Sequence, residues 1–345
     1  MKQVNTNVKK HNFCLDDPTI NSLYSHFAKV VKTEIKKKKF ILAVSGGPDS
    51  LALAYLARIY VAQTNSQLEA IIIDHAIRKS SAAECRLTAK NLSRIEVKST
   101  ILKVKKKILT NIQKQARDER YKLMNAFCKK RKAHYLLTAH HLDDQVENFY
   151  IRLSRGSGLN GLSSMKTIEK NQGNISLVRP LLNCKKKDLE YLAKKIFSQY
   201  VKDPSNNNDQ FLRVRIRKLK KQLSKEGLDQ DRLIKTIANL NSAKEALDFY
   251  VDHAFKKNIR FLRSKTEISK QLFTKEPFEI IYRTITELIK KKSRKEYPPR
   301  SKGIENLITA IHRKDFKSVT LGGFVFSNHL NKVIMIKEIR KKIRI

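Results

Sequence analysis

The chain has 345 residues, 41% of them hydrophobic, and a formal net charge of +41 from 73 Lys and Arg against 32 Asp and Glu. That length accommodates two domains or three small ones, with enough apolar residues for real cores. Such a balance is rare for an enzyme of small metabolites and is the electrostatic footprint expected of a polyanion partner, usually nucleic acid. Drift toward an AT-rich genome would raise Lys, Ile and Asn, but it would raise Glu as well, and here the acids have not kept pace. No apolar run approaches the ~18–20 residues needed to cross a bilayer, so no membrane partner is expected. The first residues, MKQVNTNVKKHNF, carry charge but no hydrophobic segment, so no signal peptide is expected. Cys14, Cys85, Cys128 and Cys184 are isolated, a pattern of reduced cytoplasmic thiols that disfavours a zinc or iron–sulfur site.

The first clear element is Phe40–Val44, an apolar run with the length and branching of a buried strand. It stops at Ser45-Gly46-Gly47-Pro48-Asp49-Ser50, and a helix-forming run, Leu51 to Ile59, follows at once. Strand, glycine turn and helix present free amides to a phosphate, and glycines let the backbone approach the oxyanions closely. The Gly-Lys-Ser/Thr ending of a Walker A loop is absent. Asp49 stands in its place, an acid beside a phosphate site, which makes sense mainly with a divalent cation between them.

Further strands are expected at Ala70–Ile73, Val97–Val104, His134–Ala139 and Ser176–Val178, with helices over 49–62, 80–94, 111–132, 141–154 and 185–198. This alternation predicts an α/β fold, a parallel sheet with helices on both faces, whose ligands bind beyond the carboxyl ends of the strands. Asp74 and His75 end the second strand, where a nucleotide pocket has its rim; Asp74 could equally cap the next element. Arg117, Arg120 and Tyr121 lie on one helix, as a phosphate clamp or as a solvated surface. Thr138–Glu147, reading TAHHLDDQVE from a strand end into a helix, gathers two histidines and three acids in eight positions. That exceeds what capping requires; His140, Asp144 and Glu147 are its candidate catalytic group. Arg155-Gly156-Ser157-Gly158 closes the following helix, as a C-cap or as a loop near phosphate.

The alternation stops near Asp203–Asn208. Phe211–Lys225 then holds seven basic residues and no acid, and a helical pattern runs to about Lys295. The end, Ser318–Glu338, reads as a hairpin turning at Ser327-Asn328-His329. The expected organisation is an N-terminal extension (1–37), a catalytic domain (38–208) and a mostly helical, RNA-binding domain ending in a small β hairpin (209–345).

The strings SGGPDS, DHAIR, QARDERY, TAHHLDDQVE, RGSGLNGL, RPLL (Arg179–Leu182) and DPSN (Asp203–Asn206) occur in one order. Together they closely resemble the tRNA(Ile)-lysidine synthetases of the PP-loop ATP-pyrophosphatase superfamily, strongly over about 38–225 and weakly through PPRSKGIENL and TLGGF. Longer members carry a further C-terminal domain, and this sequence reads as the short form. The resemblance implies ATP and Mg2+ as cofactors, and free lysine and a tRNA(Ile) with a CAU anticodon as partners; a homodimer is a candidate assembly. It implies that Ser45, Gly46, Gly47, Pro48, Asp49 and Ser50 hold the ATP phosphates, with Asp74, His75 and Arg117 also at the nucleotide. Asp49 and Asp144 would hold magnesium, and Asp49, His140, Asp144 and Glu147 would carry the chemistry. Arg155, Asn206, Arg213, Arg215 and Arg217 would meet the RNA. The implied reaction adenylates C2 of the wobble cytidine, and lysine then displaces AMP. The alternatives are a tRNA cytidine 2-thiolase of the same superfamily, which needs reactive cysteines, and a non-enzymatic basic RNA-binding protein with a vestigial loop.

Overall fold

The structure is a computed structural model that describes residues 13–35, 39–76, 80–104, 112–163, 165–170, 174–201, 209–210, 212–293 and 299–338. Asn206 and the rest of the DPSN string lie outside the described residues. Two compact units divide between Ile237 and Ala238. No helix among the described residues is long and apolar enough to cross a membrane.

The first unit begins with α1 (Pro18–Glu34) and continues through β1 (Lys39–Ala43), α2 (Pro48–Gln63), β2 (Gln67–Asp74), α3 (Ser81–Arg94), β3 (Ser99–Lys103) and α4 (Ile112–Lys130). It proceeds through β4 (Tyr135–Leu137), α5 (Leu142–Leu153), α6 (Leu159–Leu162), β5 (Ile168–Lys170), β6 (Ser176–Val178), α7 (Lys186–Ile196) and α8 (Leu212–Lys225). The sheet order is β3-β2-β1-β4-β6-β5, parallel throughout except for β5, an antiparallel edge strand on β6. β5 has no separate signal in the sequence.

The strands read as unbroken apolar runs because both faces are covered. Phe40, Leu42, Val44, Ala70 and Ile72 face a core shared with α1, α2 and α7. Ile41, Ile71, Leu136 and Leu177 face the other core, against Met124, Phe127 and Cys128 of α4. α1, expected as part of an extension, is built into the first core: Ile20, Leu23, Phe27 and Val31 are buried, one stripe at helical spacing. Its N-cap, Asp17, accepts from the amides of Thr19 (2.9 Å) and Ile20 (3.1 Å). The same carboxylate accepts from Tyr191 and Lys195 of α7, each at 2.6 Å, so one residue starts α1 and docks it.

After β1 the chain adds β2 and β3 on one side, then returns to lay β4 on the other. The carboxyl ends of β1 and β4 are therefore the topological switch point, where a doubly wound sheet opens a crevice. The two strongest sequence signals, Ser45–Ser50 and Thr138–Glu147, are the loops that leave these two strands.

The second unit, considered by itself, contains most of α9 (Gln230–Asn258), then β7 (Ile259–Phe261), β8 (Thr266–Ser269), α10 (Gln271–Lys275), α11 (Phe278–Ser293), α12 (Ser301–His312), β9 (Ser318–Leu321), β10 (Phe324–His329) and β11 (Lys332–Lys337). Its antiparallel sheet runs β7-β8-β11-β10-β9, and its core joins Ile280, Ile285, Leu288, Ile304, Leu307, Phe326 and Val333. The terminal hairpin is thus two of five strands, and its turn falls at Leu330-Asn331, not at Ser327-Asn328-His329, which lie within β10.

Candidate active site

At the end of β1 the chain turns through Gly46, whose φ of +88° is open to glycine and strained for other residues. A Cβ there would lie 2.2 Å from Thr88 Oγ1 and 2.8 Å from Val201 Cγ2. Gly46 O also accepts from the Val201 amide (3.0 Å). Gly47 differs: its φ is −72°, and a methyl group on it would come no nearer than 3.8 Å to Ser45 Oγ, its closest neighbour. The protein's own packing requires the first glycine, whereas the second leaves open space in front of the loop.

Pro48 starts α2, and its fixed φ suits that position. The amides of Asp49 and Ser50 follow at the positive end of the helix with no carbonyl one turn back inside it. Ser50, expected at the phosphates, is buried and serves the loop. Its Oγ accepts from the amides of Ser45 and Gly46, both at 3.2 Å, and donates to Gly47 O at 2.9 Å. Ser45 Oγ lies 3.3 Å from Ser50 Oγ.

At the end of β4, His141 is the N-cap residue of α5, and its amide donates to Asp144 Oδ2 (3.1 Å). The buried His141 ring places Nε2 3.5 Å from Asp49 Oδ2 and 3.5 Å from Asp144 Oδ2, joining the two loops. Burial works against its imidazolium, but the bond to Asp49 and the charges of Asp144, Asp49 and Asp143 outweigh it and hold the pKa above the ordinary value. His140 behaves oppositely. Burial, with Arg179, Arg117 and Arg120 nearby against the opposing pull of Asp144, brings it down to about 4, so it is neutral at pH 7. Its Nδ1 lies 2.9 Å from Thr138 Oγ1.

Asp49 Oδ1 is buried without a hydrogen-bond partner, as is His141 Nδ1. An unpaired buried carboxylate oxygen beside free helix amides fits a cation held jointly by protein and phosphate. Among the described residues no group of three or more His, Cys, Asp and Glu is arranged to hold a metal by itself. Magnesium characteristically takes only one or two carboxylates and completes its shell with substrate phosphates and water. Asp49, with Asp144 across His141, meets that requirement.

The remaining expected residues divide. Asp74 Oδ1 accepts from the Ala76 amide and from Ser81 Oγ, both at 2.8 Å, tying the end of β2 to the first residue of α3. His75 has its Nδ1 buried and unpartnered, and burial with Arg120 nearby lowers its pKa. Arg117, exposed, and Arg120 flank the Tyr121 ring at 5.2 and 5.6 Å. Arg155 is exposed in the loop after α5. Arg215, expected on RNA, is exposed, and its Nη1 donates to the carbonyls of Asp209 (3.0 Å) and Gln210 (3.1 Å), holding its own turn. Arg217, also expected on RNA, is bound to Glu147: Nε to Oε1 at 2.5 Å and Nη2 to Oε2 at 3.3 Å. Arg213, also exposed, is close enough to Arg120 for the two charges to oppose one another.

Three residues of this region have no individual signal in the sequence. His141 is hidden by its neighbour; the N-cap position, one residue before the periodic run, is the usable clue. Arg179 directly follows β6 and is buried, donating to Lys166 O (2.8 Å) and Glu169 (2.7 Å), its Nε unpartnered. Lys220 donates to Asp143 (2.7 Å), a partner 77 residues away that no local pattern announces. Arg120, legible only as a neighbour of Arg117, also has a buried, unpartnered Nε.

The chain is similar to known proteins. The PP-loop domain family matches residues 19–223. A tRNA(Ile)-lysidine synthase of Wolbachia pipientis is 33% identical over 303 residues, covering 86% of this chain and 70% of that one. The chain belongs to the tRNA(Ile)-lysidine synthase family of PP-loop proteins. The relative from Orientia tsutsugamushi is 39% identical over 186 residues, and the match spans 54% of this chain and 42% of that protein. A U34-tRNA thiolase from Methanococcus maripaludis, solved with its 4Fe-4S cluster, superimposes with a TM-score of 0.55 at 21% identity over 64% of this chain and 79% of that chain. That likeness concerns the fold.

Proposed function

We propose that this chain joins lysine to C2 of the wobble cytidine of a tRNA(Ile) bearing a CAU anticodon, consuming ATP and releasing AMP and pyrophosphate in the cytoplasm. The observation that carries the reading is Asp49: an acid in the first turn of α2, at the switch point, with one carboxylate oxygen buried and unpaired.

The loop Ser45–Pro48 and the first amides of α2 receive the ATP phosphates, Gly47 supplying the open approach. Asp49 and Asp144 would hold magnesium, which when bound offsets the charge that builds on the departing pyrophosphate. The C2 oxygen of cytidine attacks the α-phosphorus, and the bond to pyrophosphate breaks. The C2 carbon now carries an oxygen bound to AMP, a far better leaving group. A neutral amine of lysine attacks C2, AMP departs with that oxygen, and a carboxylate takes the proton lost by the amine. Asp144 and Glu147, on α5 beside the phosphate loop, are the acids suited to receive it. The two histidines divide the remaining work: neutral His140 donates or accepts a single hydrogen bond, and His141 bridges Asp49 and Asp144. The excess cationic charge grips the tRNA backbone, and contacts to the unstacked anticodon bases supply specificity.

The decisive experiment is mass spectrometry of nucleosides from such a tRNA after incubation with the chain, ATP and lysine. A lysine adduct on cytidine is expected; unmodified cytidine with every component present defeats the reading. The thiolase alternative is addressed by the cysteines. Cys85, Cys128 and Cys184 are buried, and burial pushes the Cys128 and Cys184 thiols up to about 12, away from nucleophilic thiolates. Replacing all four cysteines by alanine should therefore leave lysidine formation within about threefold per folded molecule. Serine would bury new hydroxyls and confuse activity with folding. Complete loss in a folded alanine variant would favour sulfur chemistry.

A further inference from the structure

The catalytic cleft is crowded with acid. Asp49, Asp143, Asp144 and Glu147 surround the first turn of α5, next to the place where the functional reading above puts a triphosphate. Left alone, four carboxylates would repel the nucleotide and compete for its cation. The structure meets two of them from a distance: Arg217 holds Glu147 and Lys220 holds Asp143, from positions 70 and 77 residues downstream. Glu147 is buried, and Arg217 sets an opposite charge directly against it. The contact is two-pronged, Nε on one carboxylate oxygen and Nη2 on the other, which fixes the plane of the carboxylate as well as its charge. Arg217 also lies near enough to Asp144 and Asp49 to feel their charges. The two pairs join residues four apart on α5 to residues three apart on α8, so each helix commits one face to the other. Val214 and Ile216 are buried on the same helix.

We propose that α8 is a working part of the reaction centre, and that Arg217 is a positioning residue that orients Glu147 for the lysine-transfer step, with Lys220 supporting it through Asp143. The inference rests on the functional reading given above. It changes the role of α8, whose basic run reads in sequence as an RNA grip alone. Arg213, one turn earlier on the face that carries Arg217 and Lys220, is exposed and available to RNA, so one helix connects the polyanion to the carboxylate that takes part in chemistry.

The test uses the full chain with ATP, lysine and a CAU-anticodon tRNA, following lysidine by mass spectrometry and tRNA affinity by filter binding. Arg217→Met should lower kcat by on the order of 10²-fold, the scale of a misplaced reactive group. Its tRNA Kd should move by less than about threefold, because no phosphate contact is lost. Arg217→Lys keeps the charge but loses the fork, and should recover part of the rate. In a Glu147→Gln background, Arg217→Met should cost less than about threefold more, since the residue acts through Glu147. Thermal melting guards against a folding defect, and the Arg217→Lys and double variants remain informative if Arg217→Met melts early. A raised tRNA Kd with unchanged kcat would make Arg217 an RNA contact and overturn the proposal. So would fully additive losses in the double variant. If the unaltered chain forms no lysidine, the functional reading fails and takes this inference with it; lysidine formed normally by both the unaltered chain and Arg217→Met overturns the inference alone.

Discussion

The two units treat their buried polar groups differently. Among the described residues, eight buried side-chain polar atoms without a hydrogen-bond partner belong to the first unit and one, Thr284 Oγ1, to the second. In the second unit, His312 sets its ring nitrogens against Ile308 O (2.8 Å) and Phe273 O (2.9 Å), and Asn328 reaches Phe316 O (2.9 Å). In the first, Asp49, His75, Arg120, His141 and Arg179 each keep an atom unpaired, on or beside the carboxyl edge of the sheet. A polar atom buried and unpaired costs about 1–3 kcal/mol. Several such atoms gathered in one place call for a partner, and at the carboxyl edge of a doubly wound sheet a bound ligand fits that need. The contrast separates a unit built for packing from one that keeps its polar groups available.

The largest effect should follow from removing the charge of Asp49, the acid among these unpaired groups. Asp49→Asn keeps the side chain's shape and its reach toward His141. Pyrophosphate release should fall by on the order of 10³-fold, while tRNA affinity stays within about twofold. Pyrophosphate assay and filter binding measure the two separately. Loss of tRNA binding with adenylation preserved would move the contrast away from nucleotide chemistry.

The paired glycines refine it. Gly46→Ala meets Thr88 and Val201 at 2.2 and 2.8 Å in a left-handed backbone, so it should lower stability by roughly 2–4 kcal/mol, read as a fall in Tm. Gly47→Ala has room and should leave Tm nearly unchanged while raising the KM for ATP. If both glycines behaved alike in melting, the distinction between packing and ligand approach would disappear.

This difference between adjacent glycines shows where sequence reading stops. The β1–α2 turn is legible because an apolar strand, two glycines and a proline punctuate the chain sharply. The parallel sheet follows from regular alternation, and the cleft from the rule that ligands meet strand ends. α1 is also available in principle, since Ile20, Leu23, Phe27 and Val31 form a stripe, but its charged neighbours mask it. The hairpin turn falls beyond the polar string that suggests it, because Leu330, an exposed apolar residue at φ 41°, occupies a conformation that usually selects glycine or asparagine. The hold of Arg217 on Glu147 is beyond reach. A basic run of alternating side chains looks uniform in sequence, and only the packing of α8 on α5 decides which arginine turns inward.

A weaker effect comes from His140. Unfolded, a histidine titrates near 6.5; folded, His140 titrates at about 4. Between those values the unfolded chain binds a proton that the folded chain does not. The folded state is therefore fully favoured above about pH 6.5 and loses stability as pH falls toward 4, by about 1–3 kcal/mol from this group. His140→Asn has no such proton. Urea midpoints at pH 7.5 and 5.0 should fall less in the variant than in the parent chain. An equal fall would mean that the burial of His140 contributes nothing to acid sensitivity, and that the first unit's polar cluster is open to water.

The smallest effect concerns the surface. Charge reversal across the whole of Arg213–Lys221 would confuse two causes, because Arg217 and Lys220 pair with Glu147 and Asp143 and Arg215 holds its own turn. Arg213 is exposed and lies near Arg120, its charge opposed to that of the second arginine. Arg213→Glu should weaken tRNA binding by about tenfold at low salt and reduce the slope of log K against log salt by about one, the signature of one lost phosphate contact. Tm should not fall, since two opposed cations become an attractive pair. A salt slope that stays the same would remove Arg213 from the RNA surface and leave Arg217 and Lys220, which hold the acids of α5, as the helix's contribution to the site.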